Sequence, residues 1–337
     1  MEGGPYSSHG QGGALFLAIL LALTACGARW SPEPMDWINT PSADNTIHQN
    51  MPLENLEQWA HSARTTGDAT GAIAAYITLI QRGSRNPWVP YQLGIALEEA
   101  EDYSRAASIY SDILSTNSDP MLLRDSTFRL ALCLWELQEN RAALRILQRL
   151  PDQHAYLLED RYSYDLALGT AWLRTGRQRR GKTRVIEALI GAEGSTKVHW
   201  MRSLALNALM EERLQEAEQL HFQVREKKQA ARLSDRVRTL KEAEDYLRRI
   251  MLLKEPHWML RAWLNLGDAY THFAEDLSKA PPPASLTENQ KLHYREQAKK
   301  QAEPLRLKAF QAYEWGMEVA IRTARQDHRS ARLLRER

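Results

Sequence analysis

Cysteine is nearly missing from this chain. Only Cys26 and Cys133 occur among 337 residues, so no disulfide framework can hold the fold. An excess of charge of either sign is missing too. Forty-four basic residues face 42 acidic ones, a formal charge of +2, and that balance makes no case for nucleic-acid binding across the whole surface. The apolar run Ala14 to Ala25, ALFLAILLALTA, has twelve residues, where a membrane-spanning helix needs roughly twenty. The ten histidines are scattered and form no H-x-x-x-H or Cys/His ligand set. His272 lies at helical spacing from Glu275 and Asp276, which a solvated helix face explains. No serine stands in a nucleophile elbow, so these patterns offer neither a catalytic nor a metal site. Glycine and proline are absent from Glu216 to Glu255, which leaves that stretch free for helix. Cys133, inside the apolar pattern RLALCLWEL, reads as a small buried hydrophobe.

What is present is a repeat. The stretch YQLGIALEEAEDYSRAASIY, Tyr91 to Tyr110, reads as two amphipathic helices joined by a tight turn. Its small residues Gly94 and Ala106 lie twelve positions apart, and the same interval separates Ala60/Ala72, Ala131/Ala143, Gly169/Gly181 and Ala205/Ala217. The steps from pair to pair are 34, 37, 38 and 36 residues. Turns are expected at Gly67-Asp68, at Gln138-Glu139-Asn140 and at Gly176. Helices that cross closely need small side chains at the contact, and self-similarity of this length marks an array of helix pairs.

These features resemble the tetratricopeptide repeat (TPR) family, whose pattern is matched best by WLNLGDAY: Trp263, Leu266, Gly267 and Tyr270. The second helix of that unit is expected at Lys308-Ala309 through Tyr313, displaced by an insertion. The insertion carries Pro281-Pro282-Pro283, a helix start at Thr287-Glu288 and the helix NQKLHYREQAKKQAE; Pro304 then opens the returning helix. The resemblance runs from about Leu53 to Ala320. It implies an all-α fold, a right-handed superhelical array of TPR-like hairpins (an α-solenoid) with about six repeats, the last enlarged by a helical insertion. It also implies a concave groove that takes peptides or helices. Residues four after each small contact residue should lie near that groove: Arg64, Glu98, Trp135, Leu173 and Leu209. An exposed apolar residue there would anchor a partner; Trp135 is the candidate, with simple core packing as its alternative.

The apolar run leads directly into Leu23-Thr24-Ala25-Cys26, which resembles the bacterial lipobox. That resemblance implies removal of residues 1–25 and a covalent lipid on Cys26, with no other cofactor. Residues 1–13 hold no Lys or Arg, a departure from the signal pattern. Gly27, in place of the aspartate that retains lipoproteins in an inner membrane, favours the outer membrane, with the body facing the periplasm. An ordinary secretory signal with an incidental cysteine is the alternative. Residues 26–52, rich in Pro, Ser, Asn and Thr, read as a flexible tether. Trp30 and Trp37 in it dock either on the body or at the membrane interface.

Residues 53–255 form the array and end in a long helix, either continuous or broken near Ser234-Asp235. Its apolar stripe (Leu233, Val237, Leu240, Leu247, Met251) packs on a neighbouring helix or serves a coiled-coil partner. Residues 256–320 are the expanded terminal repeat. Residues 321–337 are a basic tail with six arginines, either the solvated end of the last helix or a contact for an acidic partner or anionic surface.

One motif has the form of catalytic machinery. Residues 176–183, GRQRRGKT, match the phosphate-binding loop G-x-x-x-x-G-K-[ST]. That loop needs a buried strand before it, whereas SYDLALGTAWLRT has helical period. Gly176 is already the turn of a helix pair, and Gly181 is its small contact residue. The basic residues Arg177, Arg179, Arg180 and Lys182 remain a candidate contact for an acidic partner. These readings converge on a lipid-anchored periplasmic scaffold that joins proteins of an envelope complex in motility, pilus or secretion, or outer-membrane assembly machinery. Its partners are envelope proteins, with the lipid as its membrane contact and no nucleic acid or small-molecule substrate. A pilotin-like chaperone of a secretin or outer-membrane protein is the alternative, and a nucleotide-dependent enzyme through residues 176–183 is the remote one.

Overall fold

The computed structural model describes residues 31–32, 34–39, 49–150, 158–220, 226–282, 286–323 and 329–337. Cys26, Trp30 and the signal segment lie outside these described residues. Among the described residues there are thirteen α-helices and no strand. Four hairpins come first: α1 (Leu53–Thr65) with α2 (Ala69–Gln81), α3 (Trp88–Glu99) with α4 (Tyr103–Thr116), α5 (Pro120–Glu136) with α6 (Asn140–Leu147), and α7 (Leu158–Arg174) with α8 (Gln178–Gly191). Then α9 (His199–Gln219) pairs with α10 (Glu226–Leu253), and α11 (Pro256–Ser278) pairs with α12 (Glu288–Arg322). The last helix, α13 (Arg329–Glu336), lies against both α11 and α12. The odd-numbered helices also touch in series, α3 on α5, α5 on α7, α7 on α9 and α9 on α11. This is the adjacent-helix stacking of a TPR-like α-solenoid.

The hairpins turn by a two-residue device. One residue takes the left-handed conformation, and the next opens the second helix. Gly67, Glu101, Gln138 and Gly176 fill the first place, with φ of 92°, 61°, 62° and 83°. Asp68 and Asp102 fill the second, and their side chains accept from the backbone N–H of Gly71 and Arg105 at 2.8 and 3.1 Å. Each satisfies a helix-end donor that has no partner within its helix.

All ten residues of the small-residue ladder are buried. At Gly169/Gly181 the helices do meet at the backbone, since a Cβ on Gly181 would lie 2.8 Å from the Gly169 carbonyl oxygen. Beside Gly94 the close neighbour is a ring: a Cβ there would meet Tyr110 at 2.5 Å. Gly267 stands in the same relation to Tyr313, at 2.2 Å.

Three sequence expectations need correction. Ala205 and Ala217 do not face each other across a hairpin, because α9 runs unbroken through both. Nothing between them signals a turn; LMEERLQEAE contains no Gly, Pro, Asn or Asp. The partner of α9 is α10, continuous through Ser234-Asp235. Likewise the insertion and the returning helix are one 35-residue helix, α12, with Pro304 in its interior. It starts with a capping box between Thr287 and Gln290. Finally, the basic tail is not a free extension of the last helix. Ala331 and Leu334 of α13 are buried against the body.

Part of the segment expected to be a tether is described, and it lies on the body. Residues Asp36–Asn39 form a 3-10 turn against α2, where the Arg105 guanidinium covers the Trp37 ring at 4.9 Å. Gln81 donates to the Ile38 carbonyl at 2.6 Å.

Candidate functional site

The five residues expected along the groove can now be placed. Arg64 on α1 pairs with Glu99 of α3 at 2.9 Å. Glu98 on α3 is buried, accepting from the Tyr110 hydroxyl at 2.6 Å and from Arg129 of α5 at 2.9 Å. Trp135 on α5 is 1 % exposed and faces the Arg174 guanidinium at 5.7 Å. Leu173 and Leu209 are buried. Trp135 is therefore a core residue rather than an exposed anchor, which is the alternative reading of its position.

The cover over Arg64 and Glu98 comes from the chain itself. Glu255, Pro256, His257 and Trp258, at the start of α11, share with Arg64, Glu98 and Arg129 a cavity of about 300 Å³. Trp200 of α9 closes another side, its ring 4.5 Å from the Arg129 guanidinium. Burial pushes the Glu98 carboxyl up, opposed by Arg129 and by the Tyr110 hydroxyl. Burial acts to lower Arg129, but Glu98, Tyr91 and Tyr110 together hold it well above its usual value. This is a structural ion pair, and either partner alone would be stranded in the core.

Further along, the groove is open. A polar cleft of about 630 Å³ is bordered by the α5–α6 turn, α7, α9 and α11. Its floor is a chain of charges. Arg174 of α7 reaches Glu211 of α9 at 3.0 Å, Arg261 of α11 reaches the other oxygen of Glu211 at 3.1 Å, and Arg261 also grips Glu136 of α5. Burial would raise the Glu211 carboxyl, but Arg174 and Arg261 together hold it below its usual value. The rim carries hydrogen-bonding side chains: Gln138, Asn140, Gln215, Asn265, and His272 paired with Glu218 at 3.0 Å. His272 thus faces a carboxylate across the cleft, beyond the local Glu275 and Asp276. The arrangement can present donors and acceptors to an extended chain. Its described lining is mainly polar.

The basic cluster lies elsewhere, on α8. Arg177, Arg179 and Arg180 are exposed and have no carboxylate partner among the described residues. Arg180 covers the Trp172 ring at 4.3 Å, above a surface depression of about 720 Å³ that Arg179 and Arg184 also border. Lys182 points away from them, 3.6 Å from Glu212. Helix α7 stands where a phosphate-binding loop requires a strand, and Gly181 is pressed against the backbone of α7. The local frame of that motif is therefore a helix hairpin.

The residues that organise the cleft and the cavity, Arg129, Arg261 and Glu211, escaped the sequence reading. The signal was present. Arg129 sits in TFRLALCLW and Arg261 in HWMLRAWLNL, and a lone arginine inside an apolar helix face is normally buried and paired. Cys133 is buried as expected, and burial raises its thiol well above the usual value.

The model of the tetratricopeptide repeat family matches residues 125–155. That interval covers most of α5 and all of α6, including Ala131 and Ala143, and it supports a tetratricopeptide repeat family for the chain. No curated protein matches it.

Proposed function

We propose that this chain is a lipid-anchored adaptor of the outer membrane, its helix array facing the periplasm and gathering protein partners of an envelope assembly. The observation that carries the adaptor reading is the polar cleft of about 630 Å³ bordered by α7, α9 and α11. Its rim of amide and imidazole side chains suits the backbone of an extended peptide, and repeat arrays of this family bind protein partners along such faces. Arg177, Arg179 and Arg180 would supply a second contact, for an acidic surface. Membrane attachment through Cys26 rests on the lipobox-like Leu23-Thr24-Ala25-Cys26 alone.

Two experiments test the reading separately. Affinity purification of the full chain from solubilised envelopes should bring envelope proteins that Gln215→Arg combined with His272→Glu no longer retains. Recovery of the same proteins by that variant would remove the cleft from the proposal. Cys26→Ser should move the chain out of the membrane fraction, and unchanged fractionation would remove the lipid.

A further inference from the structure

Helix α13 is joined to the body at its two ends and along one face. At its start, the Arg329 backbone N–H donates to the Glu101 carboxylate at 2.8 Å, across 228 residues of sequence. Arg332 stands 3.5 Å from the same oxygen. Just beyond α13, Arg337 pairs with Asp268 of α11 at 3.0 Å. In the middle, Leu334 fills a notch that exists because residue 316 is glycine: a Cβ on Gly316 would lie 2.6 Å from Leu334. Ala331, one turn earlier on the same face, is buried with it.

The seat is built for a basic guest. Glu101 meets the positive end of the α13 dipole, holds a left-handed backbone with φ of 61°, and lies on the α3–α4 turn rather than on the helices that carry the notch. The guest offers little in return. Its fully buried apolar side chains are Ala331 and Leu334, with Leu333 half-buried, and the ion pair of Arg332 with Glu101 leaves Arg332 57 % exposed, where such a pair contributes little. An eight-residue helix does not persist without its seat.

We propose that the seat formed by the Gly316 notch, Glu101 and Asp268 is a docking site for a short arginine-bearing amphipathic helix of a partner protein, and that α13 is its displaceable occupant. A partner helix must present a leucine to the notch, a small residue one turn before it, and arginines toward Glu101 and Asp268. Tethering gives α13 an effective concentration in the millimolar range, so a free peptide competes poorly until α13 is loosened. This deepens the adaptor reading by naming a partner class, and it rests on that reading only for what takes the vacated seat; displacement itself is a property of the chain alone.

The test uses the full chain and a labelled synthetic peptide with the sequence of residues 329–337. Leu334→Asp removes the side chain that seats α13. The peptide should bind this variant at least about tenfold more tightly than the unaltered chain, which the tethered α13 protects. Adding Glu101→Gln to the variant should weaken that binding, and a peptide carrying aspartate in place of its leucine should not bind. Equal binding to the two chains, binding to neither, or equal binding of the altered peptide would each overturn the proposal. So would cooperative loss of the whole helical fold in Leu334→Asp, because α13 would then be a structural member. Failure to recover partners from envelopes would count against the adaptor reading and leave this result standing.

Discussion

The guanidinium of Arg261 grips the Glu136 carboxylate, 125 residues earlier in the chain, and at the same time holds Glu211 at 3.1 Å. One side chain thereby ties α11 to α5 and α9. Arg261→Ala should destabilise the fold by about 2–4 kcal/mol, because two half-buried carboxylates lose their shared counter-charge. Arg261→Lys should recover only part of that loss, since an ammonium cannot fork between two carboxylates in fixed geometry. Urea unfolding of the three chains measures both effects. A lysine variant as stable as the unaltered chain would show that charge alone, without geometry, holds the link.

The same network sets an acid limit. Burial acts to raise the Glu211 carboxyl and its two arginines act more strongly to lower it, with a net depression. A carboxylate whose folded value is lowered contributes stability that is fully present above its unfolded value, about 4.3, and lost as pH falls through the folded value. Stability should therefore decline below about pH 4. Glu211→Gln should be less stable at neutral pH and should show a shallower decline in acid, measured by urea midpoints across pH. An unchanged acid slope would place the linkage elsewhere.

Helix pairing was legible in the sequence because it rests on local chemistry. Gly67-Asp68 and Gly176 announce turns, and the small residues at twelve-residue intervals mark helix contacts. That legibility ends where local chemistry is silent. Ala217 repeats the interval by position, yet no turn former separates it from Ala205, and the helix simply continues. Pro304 looked like a boundary, but α12 carries it in its interior, where it forgoes one backbone hydrogen bond. Trp135 lies on α5, as the helical period predicts, and is buried there. Its burial comes with the next hairpin, whose Arg174 guanidinium lies 5.7 Å from the ring, and no periodicity encodes that neighbour. The seat of α13 depends on a notch at Gly316 and a carboxylate at Glu101, two positions with no sequence link between them.

Gly181 and Lys182 separate the two meanings of GRQRRGKT. A Cβ on Gly181 would lie 2.7 Å from the backbone nitrogen of Leu173 and 2.8 Å from the Gly169 carbonyl oxygen, and neither atom can yield without moving α7. Gly181→Ala should cost about 1–3 kcal/mol. Lys182→Ala loses only a partly exposed pair with Glu212, which Arg213 also holds, and should change stability by less than about 0.5 kcal/mol. Thermal unfolding reads both values. Nucleotide binding by the unaltered chain that disappears in Lys182→Ala would instead restore the phosphate-loop reading.

The left-handed turn residues give a matched pair of substitutions. Gln138 and Glu101 occupy the same place in successive hairpins and have φ of 62° and 61°, a conformation that costs a side-chain-bearing residue about 1–2 kcal/mol. Gln138→Gly relieves that strain, offset in part by the greater freedom of glycine in the unfolded chain. A net gain of about 0.5 kcal/mol is expected, seen as a higher urea midpoint with unchanged slope. Glu101→Gly brings the same relief but removes the carboxylate that receives Arg329 and Arg332. Its midpoint should not rise, and hydrogen exchange in α13 should accelerate while that in α11 stays protected. If both glycine variants gain equally and α13 exchanges unchanged, the Glu101 carboxylate contributes nothing to holding that helix, and Leu334 holds it alone.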